Sequence, residues 1–218
     1  DADGDGKDEI INGLTMMDDN GVPKWHITDF GYSVHVDGQQ VGEIVASNPG
    51  LEIMVHQELQ DDNRHKAGNL WGVFDLATGK KLWMKEAPGV HLQLNVLANV
   101  TGGEGLDIVG TYGAHSAKGG FASTSKGEDF PWPYPEMPYG GDRMYAIDWD
   151  GDKGWNLHLN FETVYGHGDS AIFKMDLSDA PHNLEVVKEK THDTESVVPW
   201  TRYRLHNFWA NIDLVGDY

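Results

Sequence analysis

Two kinds of segment alternate along the chain and constrain what it can fold into. The first is an acidic or glycine-bearing turn that runs into a short apolar strand, as in DADGDGKDEIINGL, VASNPGLEIMVHQE, LANVTGGEGLDIVGTYG and NIDLVGDY. The second is a pair of alternating strands around an Asp, Asn or Gly turn, as in LTMMDDNGVPKWHI, LWGVFDLATGKKLWMKE, RMYAIDWDGDKGWNLHLNF and AIFKMDLSDAPHNLEVVKE. Such turns indicate β-hairpins, and helical periodicity is weak throughout. The pattern predicts an all-β chain.

A loop and strand followed by a hairpin, repeated at intervals of roughly 40 to 55 residues, is typical of β-propeller blades. The chain supplies about three to four such units, the smallest number that closes a propeller. Its last residues, DLVGDY, resemble the start of another unit. We therefore expect residues 1–218 to form one β-propeller domain that is incomplete at both ends and belongs to a propeller of about seven or eight blades.

The charge balance excludes several classes of partner. Sixteen basic residues stand against 35 acidic ones, a net charge of −19, which argues against nucleic acid and anionic membranes as partners. No apolar run approaches the length of a membrane span, which is about 18 residues. The absence of cysteine rules out disulfides. We expect a monomer that binds neither nucleic acid nor membrane.

The opening residues DADGDGKDE have the spacing of a calcium loop. Alternate aspartates separated by Gly4 and Gly6 can turn several oxygens toward one point, and calcium takes six to eight oxygen ligands. The twelve-residue EF-hand is excluded because Asn12 stands where its last acidic ligand belongs. A solvated acidic turn is the alternative. The expected ligands are four carboxylates and one main-chain carbonyl: Asp1, Asp3, Asp5, Glu9 and the carbonyl of Lys7.

Five phrases, in this order, resemble the calcium-rich β-propeller polysaccharide lyases, which include the family-eleven rhamnogalacturonan lyases and the related ulvan lyases: DADGDGKDEI, PGLEIMVHQE, FDLATGKKLW, DRMYAIDWDGD and IDLVGDY. The resemblance implies that the domain is catalytic and belongs to a secreted bacterial enzyme, extracellular or periplasmic. That enzyme would use calcium and cleave an acidic, rhamnose-containing polysaccharide by β-elimination. The family's GHGD motif falls late, at 166–169, and FGYSVHVDG stands in its usual place. This departure favours ulvan as the substrate, with rhamnogalacturonan as the alternative.

β-Elimination at a uronate requires a group that neutralises the carboxylate, a base for the C5 proton and an acid for the leaving oxygen. By similarity to the ulvan lyases, His35 and His56 are the expected catalytic histidines, and Tyr112 and Arg143 are the expected acid/base and carboxylate clamp. From the residues alone, the favoured interpretation of both histidines is that they lie at strand ends and bond to backbone, and Tyr112 is also typical of core packing.

The remaining candidates would bind substrate. Aromatic rings stack on the flat faces of sugars, and cations attract a polyanion. The expected substrate-binding residues lie in the long Gly/Pro/aromatic insertion and near the C-terminus: His115, Trp132, Tyr134, Tyr139 and Arg204. Simple packing of the inserted loop and a solvated strand end are the alternatives.

A non-catalytic calcium-binding propeller, serving adhesion or carbohydrate binding, would carry the same acidic loops. Only a convergent His/Tyr/Arg cluster separates that class from a lyase. A hydrolase on the same scaffold would need two carboxylates facing each other across a cleft, whereas the acids here fall mostly in turns.

Overall fold

The computed structural model describes residues 1–30, 34–59, 69–87, 92–112, 120–129, 141–147, 156–162, 168–175 and 184–192. Within these ranges all regular structure is β-strand. A search of the same ranges found no helix able to cross a membrane.

The strands form four antiparallel sheets, and neighbours in each sheet follow chain order. The first sheet contains β1 (Ile10–Asn12), β2 (Thr15–Met17) and β3 (Pro23–His26). The second contains β4 (Val34–Gly42), β5 (Glu52–Leu59), β6 (Asn69–Asp75) and β7 (Lys81–Ala87). The third contains β8 (Leu92–Ala98), β9 (Asp107–Tyr112) and β10 (Gly120–Ser123). The fourth contains β11 (Gly141–Ile147), β12 (Asn156–Glu162), β13 (Gly168–Met175) and β14 (Leu184–His192).

These bounds confirm the all-β expectation. Each of the four predicted hairpins is present, as β2–β3, β6–β7, β11–β12 and β13–β14. The strands predicted after the first three acidic turns are β1, β5 and β9. Closure of the sheets into a propeller stays a prediction.

The second sheet is covered on both faces, as β5 shows. Ile53 and Val55 pack with Phe74 against residues of the first sheet and the loop that follows it. Met54, which points the other way, packs with Ile108 of the third sheet. Successive strand residues face opposite sides of a sheet. A strand buried on both sides therefore reads as the continuous apolar run IMV.

The first strands of the second and third sheets run side by side in the same direction. A Cβ atom built on Gly38 would lie 2.7 Å from the side-chain oxygen of Asn95, and one on Gly42 would lie 3.1 Å from Leu97. Between these points the amide of Gln40 donates to the carbonyl of Asn95 (2.6 Å) and accepts from the N–H of Leu97 (2.9 Å). β11 in turn lies beside β8. The starts of β4 and β8 are therefore at one end of the structure.

Candidate functional site

The N-terminal loop brings four carboxylates together. One oxygen from each side chain lies within 4.8 Å of the others: Asp1, Asp3, Asp5 and Glu9. Gly4 and Gly6 have φ of 82° and 87°, and their N–H groups donate to the Asp1 carboxylate at 2.6 and 2.9 Å. These left-handed conformations are open to glycine at little steric cost. The loop thus turns its carboxylates toward a common point, although Asp1, Asp3 and Asp5 are exposed to solvent.

Glu9 is the buried member of this cluster. Its side chain is 3% exposed, and Oε2 accepts a hydrogen bond from the N–H of Ala2. The other oxygen, Oε1, is buried without a hydrogen-bond partner among the described residues. A buried, unpaired carboxylate oxygen is costly unless a cation or donor meets it. The arrangement therefore fits a hard cation such as calcium, which is bound by oxygen ligands.

Two lysines contact the rim of the cluster. Lys24 bonds to Asp3 and lies 3.4 Å from Asp18, and the bond from Lys24 lowers the pKa of Asp3. Lys7 directs its ammonium to Asp19 at 2.7 Å. The lysine side chains thus join the loop to the β2–β3 turn, and the predicted ligand of Lys7 is its main-chain carbonyl rather than its side chain.

Glu9 has counterparts in the next two sheets. Each of the first three predicted acidic turns ends in an acid with a buried side chain, Glu9, Glu52 or Asp107, just before or at the start of a strand, and the fourth turn lies outside the described residues. The N–H seven residues earlier donates to it: Ala2 to Glu9, Val45 to Glu52 (2.9 Å) and Val100 to Asp107 (3.0 Å). Burial raises the pKa of Asp107, and hydrogen bonds from Thr101, Val100 and Ser125 offset part of that effect. The acid that recurs at the end of these turns in the sequence indicated this shared hydrogen-bonding arrangement.

The backbone places three expected catalytic residues on strands that each lie beside β8, namely β4, β9 and β11. His35 is the second residue of β4, and Tyr112, the last residue of β9, pairs with Leu92 at the start of β8. Arg143 is the third residue of β11, which lies beside β8. Because β4 and β8 run in the same direction, His35 and Tyr112 occupy one end of the structure. Convergence of the three side chains stays a prediction.

His56 has a different environment. It is the fifth of eight residues in β5 and is fully buried. A Cβ atom on Gly38 would lie 2.1 Å from its Nε2, so the imidazole fills the space that the missing side chain leaves. A buried imidazole does not touch a polymer unless the neighbouring strands separate. The geometry favours packing for His56, and its catalytic role stays a prediction.

The expected substrate-binding residues lie outside the described ranges: His115, Trp132, Tyr134, Tyr139 and Arg204. Sequence reasoning did not single out Gln40, Asn48 or Asn95, whose amides link strands and loops. Such amides carry no local motif, since each has a partner 27 or more residues away in sequence.

Comparison with known proteins places the chain in a protein family. The domain family described as "Rhamnogalacturonan lyase family 11, C-terminal domain" matches residues 1–162. The chain belongs to this family. The family-11 chain is 32% identical over 158 residues to the rhamnogalacturonan exolyase YesX of Bacillus subtilis (strain 168), a match that covers 70% of the chain and 23% of the relative. It is 39% identical over 83 residues to the rhamnogalacturonan endolyase YesW of the same organism, covering 38% and 12%.

Solved structures agree with the strand arrangement. The exotype rhamnogalacturonan lyase YesX superposes with a TM-score of 0.62 at 26% identity, covering 87% of the family-11 chain and 29% of the solved one. A rhamnogalacturonan lyase from Bacillus licheniformis superposes with a TM-score of 0.56 at 25% identity, covering 86% and 26%. The chain thus spans about a quarter of the length of YesX.

Proposed function

We propose that the intact protein is a polysaccharide lyase that cleaves rhamnogalacturonan by β-elimination. The observation that carries the proposal is the family match over residues 1–162, together with two curated relatives that are both named rhamnogalacturonan lyases. The displaced GHGD motif favoured ulvan, and these relatives favour the alternative substrate. The same direction of β4 and β8, with β11 beside β8, supports a propeller whose first strands line its centre.

In this proposal His35, Tyr112 and Arg143 supply the chemistry. An ionised uronate carboxylate makes the neighbouring C5–H very weakly acidic, so Arg143 would neutralise it through two parallel N–H bonds. Tyr112 or His35 would remove the C5 proton, and the other would protonate the oxygen that leaves C4. His35 and Tyr112 lie at the same end of the structure, which supports this assignment.

The acidic loop would hold a structural calcium ion. Its ligands would be the carboxylates of Asp1, Asp3, Asp5 and Glu9 with the carbonyl of Lys7. The orphaned Oε1 of Glu9 supports the site. Bound calcium supplies the positive charge that lets four carboxylates share one loop. Calcium sites of extracellular modules bind at about 0.1 to 1 mM, which fits a secreted enzyme acting on an acidic polysaccharide.

The test incubates the intact, calcium-loaded protein with rhamnogalacturonan and, separately, with ulvan, and follows ultraviolet absorbance from newly formed unsaturated uronate. A rise with rhamnogalacturonan is expected. A rise with ulvan alone would instead make ulvan the substrate, as the sequence analysis favoured. If folded protein gives no rise with either polymer, the non-catalytic binding propeller becomes the better assignment. Tyr112→Phe, which removes only a hydroxyl, should lower the rate without changing the melting temperature.

A further inference from the structure

The loop before β5 contains a side-chain amide that joins two carboxylates. Nδ2 of Asn48 donates to Oε1 of Glu52 at 2.8 Å and to Oδ2 of Asp75 at 3.0 Å. Asp75 also accepts from the N–H of Thr78 at 2.8 Å. Burial alone would raise the pKa of Asp75, but the bonds from Thr78 and Asn48 outweigh it, so the pKa lies below its ordinary value. The amide hydrogens thus hold together two groups that would otherwise repel.

The loop before β1 has the same hydrogen-bonding arrangement. In both loops the buried acid accepts the N–H seven residues earlier. Each loop lies next to a hairpin turn that begins with an aspartate. The N–H of Asp18 donates to the carbonyl of Val22 at 2.8 Å, and the N–H of Asp75 donates to the carbonyl of Lys80 at 2.9 Å. Asp18 is therefore the counterpart of Asp75, as Glu9 is of Glu52.

The two loops differ at the position four residues before the buried acid. The second loop has Asn48 there, and the first has Asp5. A carboxylate accepts hydrogen bonds but has none to donate when ionised. Accordingly Oε1 of Glu52 is bonded to Asn48, whereas Oε1 of Glu9 is buried without a partner in the described part of the chain. The first loop lacks the donor that the second loop has.

We propose that Asn48 is the metal-free counterpart of the cation in the first loop, and that the second loop is a latent calcium site. This inference rests on the calcium site proposed for the first loop. The residue four positions before the buried acid decides the outcome: an amide donates to the second oxygen of that acid, whereas a carboxylate leaves this oxygen without a donor, so that a cation has to meet it. Asn48→Asp would place three carboxylate groups, those of residues 48, 52 and 75, around one point.

The third loop is consistent with this rule. Its corresponding residue is Gly103, which has no side chain, and the acid Asp107 accepts at one oxygen from the N–H and the hydroxyl of Thr101, both at 2.8 Å. The backbone N–H of Ser125 is a further donor to Asp107, so this acid has donors from two segments although position 103 has no side chain. The third loop therefore lacks the carboxylate that distinguishes the first loop from the second.

The experiment compares four forms of the intact protein: the parent, Asp5→Asn, Asn48→Asp and the double variant. Calcium stoichiometry is measured by titration calorimetry, and melting temperature is measured in calcium chloride and in a chelator. We expect Asp5→Asn to bind one calcium fewer than the parent, Asn48→Asp to bind one more, and the double variant to bind the same number. Asp8→Asn is the matched control, because Asp8 is fully exposed beside the cluster. It should leave the stoichiometry unchanged.

The outcomes separate the two proposals. If Asp5→Asn loses no calcium, the first site is wrong and the inference falls with it. If Asp5→Asn loses one calcium but folded Asn48→Asp gains none, the first site stands and the inference is overturned. If Asn48→Asp does not fold, Asp5→Asn decides alone. In chelator it should melt at or above the parent, because an amide at position 5 can donate to Glu9, and a lower melting temperature would overturn the inference.

Discussion

The indole N–H of Trp25 donates a 2.8 Å hydrogen bond to the carbonyl of Leu76 and ties β3 of the first sheet to the β6–β7 turn of the second. The same relationship recurs one sheet later, where Trp83 of β7 donates to the carbonyl of Ser125 at 3.1 Å. Neighbouring sheets are therefore joined by a repeated contact between a tryptophan in the last strand and a turn in the next sheet.

Trp25→Phe keeps an aromatic ring but removes the donor. We expect a loss of about 1 kcal/mol in the free energy of unfolding, the net contribution typical of one hydrogen bond. Urea denaturation of the parent and variant measures it. Val22→Ala, at a position 59% exposed, is the control and should change stability by less than about 0.5 kcal/mol. Equal effects of the two substitutions would mean that the indole bond contributes nothing.

Gly38→Ala should destabilise the protein by about 3 kcal/mol, because the added methyl would lie 2.1 Å from Nε2 of the buried His56. Gln39→Ala, at an exposed position of the same strand, is the control. In Gly38→Ala/His56→Ala the obstructing ring is absent, so the double variant should be more stable than the sum of the single effects predicts. Simple additivity would show that the two residues do not share this space.

His56→Gln tests packing against catalysis. We expect a lower melting temperature with an unchanged kcat per folded molecule on rhamnogalacturonan, since the imidazole is buried. Melting curves and initial rates, corrected for the folded fraction, give the two quantities. A large fall in kcat at an unchanged melting temperature would instead make His56 a catalytic residue.

Asp75 should contribute to acid denaturation. Its pKa is lowered in the folded protein, so folding favours the ionised form. The resulting stabilisation is present above the unfolded pKa of about 3.9 and is lost as the pH falls through the lower folded value. The unfolding free energy of the parent should therefore exceed that of Asp75→Asn at pH 7, and the difference should shrink below pH about 4. A difference independent of pH would contradict this assignment.

Local signals in the sequence predicted the strands and turns. FDLATGKKLW became β6, a turn and β7, and the alternating aspartates converged with Glu9 as their spacing indicated. The contacts that join distant segments were not predictable, because they depend on which sheet covers each face. Asn48 and Asp75 are 27 residues apart, and no local motif connects them. His56 was expected near a strand end, but β5 continues to Leu59 and buries it in the interior.

The coverage of the second sheet on both faces has an evolutionary consequence. All residues from Glu52 to Gln57 are buried, so this part of β5 has no solvent-facing side on which neutral substitutions accumulate. A change in side-chain volume in the first sheet alters the packing of Ile53 and Val55. A change in the third sheet alters the packing of Met54. β5 must therefore change together with both neighbours, whereas an exposed position such as Val41 of β4 is free to diverge.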